Sequence, residues 1–222
     1  QPEAGKATIE YRYKGLDAAK NRAKLFGYRG AQYPWEASID GSEVTPSNCP
    51  TGWAQQHTTV GVAWCAWEYY MATGDDFGLH DFVWPILKNV NEWVESRGHF
   101  TRRGFEFDMM MGPDEHINDL SNQTYFNLLA KKSMQAGIEC CEIMGYKVPR
   151  KWKKIYKQIF IPMDHQNGVV LPYDPDSMVT AYDEDTRTFI KKKLTLDGQT
   201  YSLGNLHFLF VHGIPVDDQI FT

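Results

Sequence analysis

Asp114 and Glu115 stand side by side in Gly112-Pro113-Asp114-Glu115-His116. A hydrophobic run, Phe105 to Met111, precedes them, and a helical pattern begins near Ser121. Two acids held by Gly and Pro at the entry to a helix form a stiff acidic loop. About eighty residues upstream, Tyr33-Pro34-Trp35-Glu36 sets an indole beside another acid. These residue types suit sugar chemistry. An indole face stacks on a pyranose ring, a carboxylate accepts hydroxyl hydrogen bonds, and a protonated carboxyl can drive off a glycosidic oxygen.

Each of these residues also has a plainer reading. Glu115 could be an acid favoured by the positive end of a helix, and Asp114 a turn former. Three consecutive residues, Asp114, Glu115 and His116, rarely converge on one ion, so the loop is not read as a metal site. Trp35 could anchor its loop to the core. His57 opens a helical segment, where it either faces a cleft or is satisfied by backbone. Trp64, Trp67, Tyr70 and Met71 recur at helical spacing and are expected in the core.

The 222 residues carry a formal charge of −5, which argues against nucleic acid as a main partner. The short basic clusters, Lys151 to Lys157 and Lys191 to Lys193, read as solvated faces. Hydrophobic residues make up 42% of the chain, enough for a core, and 7 Trp and 12 Tyr are enough to line a carbohydrate cleft as well. Cys49, Cys65, Cys140 and Cys141 lack metal-type spacing and read as idle thiols. No cofactor is implied. No apolar run is long enough to cross a bilayer, and no membrane partner is expected. Neither Gln1 nor Thr222 looks like a natural terminus. The expectation is therefore a truncated chain, and the lack of a targeting signal leaves its compartment open.

The elements that must position these residues are mainly helical. Helix is expected from Pro2 to about Phe26, interrupted at Gly15 and capped by Gly27. A long Pro- and Gly-punctuated loop covers Tyr28 to Gln56, a length usually tied to function or disorder. Helices follow over His57 to Thr73 and Leu79 to Ser96, with Pro85 marking a later start to the second. A β-hairpin is expected over Phe100 to Met111, turning near Arg103-Gly104. Next come a helix from Asn122 to Met144, capped by Ser121 or Asn122, and a shorter one from Pro149 to Phe160. Beyond Ile161, prolines break the pattern, and a polar hairpin is expected over Asp183 to Tyr201, turning around Asp197-Gly198. Long helices with long loops suggest a helical toroid, and five or six helices make only part of an (α/α)6 barrel. The expected division is 1–160 as partial barrel and 161–222 as an irregular, β-containing insertion or extension.

In this order the residues resemble the central catalytic domain of glycoside hydrolase family 65, which includes maltose, trehalose and kojibiose phosphorylases, acid trehalases and α-glucosidases. The likeness covers roughly residues 1 to 160. It runs from Glu10-Tyr11-Arg12-Tyr13 and Leu16-Asp17-Ala18-Ala19, through Gly27-Tyr28-Arg29-Gly30-Ala31 and Tyr33-Pro34-Trp35-Glu36, to His57, Gly112-Pro113-Asp114-Glu115, Asn122, Tyr125 and Asn127. The resemblance implies an inverting enzyme with Glu115 as general acid, and Trp35, Glu36, Asp114, His57 and His116 around an α-glucoside or disaccharide. Inorganic phosphate is a second substrate if the enzyme is a phosphorylase. It also implies further barrel helices as partners, from the same or another chain; a homodimer is one such arrangement.

The sequence departs from the family pattern in places. His116-Ile117 stand where the family has Tyr-His, and Gln55 where it has an acid. The first departure tilts the expectation towards hydrolysis, with phosphorolysis as the alternative. A rival of another class is a non-catalytic sugar-binding or scaffold module that keeps Trp35 and Glu115 alone.

Overall fold

The structure, a computed structural model, describes residues 1–46, 49–113, 120–176, 179–183, 188–192, 194–196 and 199–201. The opening helix breaks where the sequence indicates. Helix α1 spans Pro2–Lys14 and α2 spans Leu16–Leu25. Gly15 lies between them, and the Cα of Gly15 is so close to Gly41 that a Cβ on left-handed Gly41 would collide with it. Left-handed Gly27 closes α2, and the Tyr28 N–H reaches back to the Ala23 carbonyl.

The long loop contains a short helix, α3 (Thr51–Ala54), before α4 begins (His57–Thr73). Left-handed Gly74 ends α4 as expected. Helix α5 (Asp76–Gly78), a π-turn (Leu79–Val83) and α6 (Trp84–Arg97) then run on without a gap. Pro85 marks the later start of α6 that the sequence indicates, standing in its first turn. It has no N–H to give the preceding turn, and the chain widens into the π-turn just before it.

Strands β1 (His99–Phe100) and β2 (Phe105–Glu106) pair antiparallel, so the expected hairpin is only two rungs long. Met110 and Met111 pair elsewhere, as described below. Helix α7 (Thr124–Ile143) starts later than expected and is capped by neither Ser121 nor Asn122. The Gln123 side-chain oxygen accepts from the Phe126 N–H at 2.7 Å and does the capping. Helix α8 (Arg150–Gln158) buries Trp152 and Ile155 and turns its lysines outward. Short antiparallel hairpins follow: β3 (Met163–Asp164) with β4 (Val169–Val170), β5 (Val179–Asp183) with β6 (Thr188–Lys192), and β7 (Leu194–Leu196) with β8 (Gln199–Tyr201). The β7–β8 pair flanks positions 197–198, where a hairpin was expected, and the β5–β6 pair is an additional one.

Helix α4 packs on α1, α6 and α7, and α7 packs on α4, α6 and α8. His57 and Tyr125, at the starts of α4 and α7, are in ring contact, so both helices begin at one rim. The end of α6 meets the start of α4 through Arg97 and Gln56, so α6 runs the opposite way. Inner helices that run parallel and are joined through antiparallel outer ones form the paired-helix arrangement of a toroid.

An aromatic chain fills the core: Trp93 contacts Phe126, Phe126 contacts Phe107, and Phe107 contacts Phe105. All four are nearly or fully buried, each contributing roughly 1.5–3 kcal/mol of transfer free energy. In the aromatic stripe of α4, Trp67 is buried and Trp64 and Tyr70 lie partly buried against the core. Met71 is 64% exposed and does not belong to it.

Candidate functional site: two loops at one rim

The tryptophan loop is threaded between helices before it reaches the rim. Ala31 donates to the Asn89 carbonyl at 3.0 Å and Gln32 to the Ala19 carbonyl at 2.9 Å. Tyr33 is buried; its hydroxyl donates to the Arg12 carbonyl, and its own carbonyl accepts from the Thr59 hydroxyl at 3.3 Å. Chain and core thus fix the backbone up to Pro34. Trp35 then lies half-buried and Glu36 is exposed. The chain folds back on itself, Val44 donating to the Glu36 carbonyl and Ser38 to that of Ser42.

Under Trp35 lies a carboxylate. Glu43 Oε2 accepts from the Trp35 N–H at 2.8 Å, and Oε1 accepts from the Glu36 N–H at 3.1 Å and the Thr45 hydroxyl at 2.6 Å. Arg22 pairs with Oε2 at 3.1 Å and also donates to the Gly52 carbonyl. Burial alone would raise the pKa of Glu43. The hydrogen bonds from Thr45, Trp35 and Glu36 outweigh it, and the net shift is downward. Burial lowers the pKa of Arg22, and Glu43 opposes that.

The Trp35 ring sits edge-on to His57, with centroids 5.5 Å apart at 72°. His57 also meets Tyr125, with centroids 5.4 Å apart at 74°. Trp35, His57 and Tyr125 therefore form a continuous aromatic line at the rim, and Tyr125 is 48% exposed.

The acidic loop is anchored beside this line. Met110 and Leu120 exchange both backbone hydrogen bonds, at 3.0 and 2.9 Å, and so clasp the segment between them. Met111 donates to the Ala54 carbonyl at 3.0 Å. The buried Gln55 side chain donates to the Gly112 carbonyl at 3.0 Å, two residues before His57 in the chain. Gly112 lies against the Gln123 side chain, where a Cβ would collide. Arg97 donates through Nε to the Gln56 side chain at 2.8 Å and through Nη2 to the Asp108 carbonyl, tying the start of α4 to the segment between β2 and the loop. Asp114, Glu115 and His116 lie outside the described residues.

A second buried cluster holds the loop's exit. Asn122 adopts a left-handed conformation, φ 52°, and its side-chain oxygen accepts from the Phe107 N–H at 3.1 Å. Its amide donates to Glu106 at 2.7 Å and to Asp174 at 3.3 Å. Arg103 bridges the same two carboxylates. Burial would raise the pKa of Glu106, but Arg103, Thr101 and Asn122 bring it down overall.

Of the residues singled out in the sequence, the structure brings Trp35 and His57 together and leaves the exposed Glu36 on the same loop. Sequence reasoning missed Arg22, Glu43, Arg103 and Asp174. Glu43 had no local signal to separate it from Asp40, three residues earlier in the same polar loop. Among the described residues, no group of three or more His, Cys, Asp or Glu could hold a metal ion.

Residues 1–198 match the glycosyl hydrolase family 65 central catalytic domain. The chain belongs to this family. It is similar to a kojibiose hydrolase of Flavobacterium johnsoniae, 38% identical over 174 residues, spanning 78% of this chain and 25% of that protein. It is also similar to a kojibiose phosphorylase of Thermoanaerobacter brockii, 31% identical over 219 residues, spanning 83% of this chain and 28% of that protein. A solved structure assigned as a kojibiose phosphorylase from human microbiome superposes with a TM-score of 0.71 at 22% identity, covering 99% of this chain and 36% of that one. Within the family, the fold is thus part of an (α/α)6 barrel, and the chain spans about a quarter of the length of the curated relatives it matches.

Proposed function

We propose that the chain supplies the general acid and a sugar-binding wall of an inverting enzyme that cleaves an α-linked glucoside, with Glu115 as the acid. The aromatic line Trp35–His57–Tyr125, set beside the anchored base of the acidic loop, carries this reading. An aromatic wall offers sugar rings a stacking surface, and the anchored residue Gly112 stands three positions before Glu115 in the chain. In an inverting reaction the acid protonates that oxygen while the second reactant attacks the opposite face. Trp35 and Glu36 bind the sugar, and His57, Asp114 and His116 complete the wall around it.

Relatives named for kojibiose make that disaccharide the first substrate to test. Hydrolysis is the leading reading, on the similarity to a kojibiose hydrolase and the His116-Ile117 departure. The similarity to kojibiose and trehalose phosphorylases favours phosphorolysis as the second. Product analysis separates them. Hydrolysis gives glucose with or without phosphate, whereas inverting phosphorolysis needs phosphate and gives β-glucose 1-phosphate. Failure to cleave any α-glucoside under either condition would leave the non-catalytic module standing.

Glu115→Gln keeps the side chain's shape and loses its transferable proton. Turnover of an unactivated disaccharide should fall about 10²- to 10⁴-fold. An α-glucosyl fluoride, whose leaving group needs less protonation, should be partly spared. Near-normal turnover of the disaccharide would remove Glu115 from the role.

A further inference from the structure

We propose that Glu43, braced by Arg22, is a positioning residue that sets the Trp35–Glu36 sugar platform through the main chain. The inference rests on the reading that Trp35 and Glu36 contact sugar.

The geometry goes beyond a surface turn. Five interactions converge on two oxygens. Oε2 takes the Trp35 N–H and the Arg22 guanidinium, and Oε1 takes the Glu36 N–H, the Thr45 N–H at 3.1 Å and the Thr45 hydroxyl. The Glu43 and Arg22 side chains are only 16% and 12% exposed. Two consecutive N–H groups aimed at one carboxylate fix the peptide plane between Trp35 and Glu36, and with it the direction in which the indole leaves the chain. The indole then meets His57 at 5.5 Å. Arg22 lies on α2 and also holds the Gly52 carbonyl, so the brace ties the platform to a packed helix and to the segment that leads into α4. Nearby Asp40 makes a useful contrast. It also accepts several hydrogen bonds, from Ser38 and Ser42, but these close only its own exposed turn.

A carboxylate is required at this position because all its neighbours are donors. A glutamine offers one acceptor oxygen and turns an NH₂ towards N–H groups and a guanidinium. Glu43→Gln should therefore release the platform and strip Arg22 of its counter-charge.

The test uses the protein that carries this chain, with kojibiose or whichever α-glucoside it cleaves. Trp35→Ala, Glu43→Gln and the double variant are compared by kcat and KM. Loss of ground-state binding raises KM with little change in kcat. Glu43→Gln is expected to raise KM about tenfold with kcat within about threefold, a charged hydrogen-bond set being worth about that much. In the Trp35→Ala background the same change should add clearly less than in the parent, because the larger of the two groups it positions is gone. If Trp35→Ala raises KM while Glu43→Gln leaves it unchanged, or if their effects simply add, the positioning role is overturned and the sugar platform stands. If Trp35→Ala leaves KM unchanged, the platform reading falls and takes this inference with it. Should Glu43→Gln not fold, Thr45→Val removes one hydrogen bond and no charge. It should raise KM about threefold by the same mechanism, and an unchanged KM there overturns the proposal.

Discussion

The two loops at the rim are each held by a cluster that pairs an arginine with largely buried carboxylate, and the clusters work differently. Under Trp35, one carboxylate grips the main chain of the site residue itself, and Arg22 braces the carboxylate. At the exit of the acidic loop, two carboxylates share Arg103 and grip the side-chain amide of Asn122. The first cluster grips one loop, braced from α2 by Arg22, and leads directly to a ring in the site. The second joins the β1–β2 hairpin, the chain entering α7 and the segment around Asp174, far apart in sequence. Loosening the first should move the site while leaving the fold standing; loosening the second should cost the fold.

The largest expected effect falls on the second cluster. Arg103→Met leaves Glu106 and Asp174, both almost wholly buried, facing each other. Because Arg103 is itself 42% exposed in its side chain, the loss should lie near the low end for a broken buried pair, about 3 kcal/mol. Thermal denaturation measures it. Part of the loss should return as the pH is lowered, because one of two adjoining carboxylates then takes up a proton. A melting temperature within a degree or so of the parent would break the contrast between the clusters.

Asn122 comes next. Its left-handed backbone is one that asparagine tolerates better than other residues with a Cβ, and its side chain links the hairpin to the carboxylates. Asn122→Ala should cost about 1–2 kcal/mol, from the loss of asparagine's better tolerance of the left-handed region and about 1 of lost hydrogen bonding. Asn122→Gly relieves the strain and should be the more stable of the two variants. The reverse order would mean that conformation plays no part there.

A smaller effect concerns pH. Glu106 and Glu43 both have folded pKa values below their ordinary value of 4.5. Their contribution to stability is therefore fully present above about pH 4.5 and is lost as the pH falls through the lower folded values. Glu106→Gln and Glu43→Gln should each flatten the decline of melting temperature with acid, while the parent keeps the steeper slope. An equally steep slope in both variants would contradict the depressed values.

The smallest effect is expected at Asp40. Hydrogen bonds from Ser38 and Ser42 hold its pKa down to about 2, yet they only close an exposed turn. Asp40→Asn should leave KM within about twofold, as exposed positions usually do. A KM rise matching that of Glu43→Gln would show that the whole turn, and not the buried carboxylate, sets the platform.

What the sequence determined by itself is largely local. Helix ends were legible because Gly27 and Gly74 supply the left-handed positions at which helices stop, and those positions are read from one residue at a time. The start of α7 was misplaced. Ser121 and Asn122 are good caps by type, but tertiary contacts draw both away: Ser121 donates to Asp108, and Asn122 serves the Glu106–Asp174 cluster. Trp35, His57 and the acidic loop stood out because aromatic and acidic residues in stiff loops, or at helix starts, carry their chemistry in their type and immediate setting. Only the tertiary structure decided that Trp35 and Tyr125, ninety residues apart, meet across His57. It alone separated Glu43 from Asp40, two acids in one polar turn. A carboxylate's role depends on which donors surround it and on how much water they exclude, and both are set by helices that are distant in the chain.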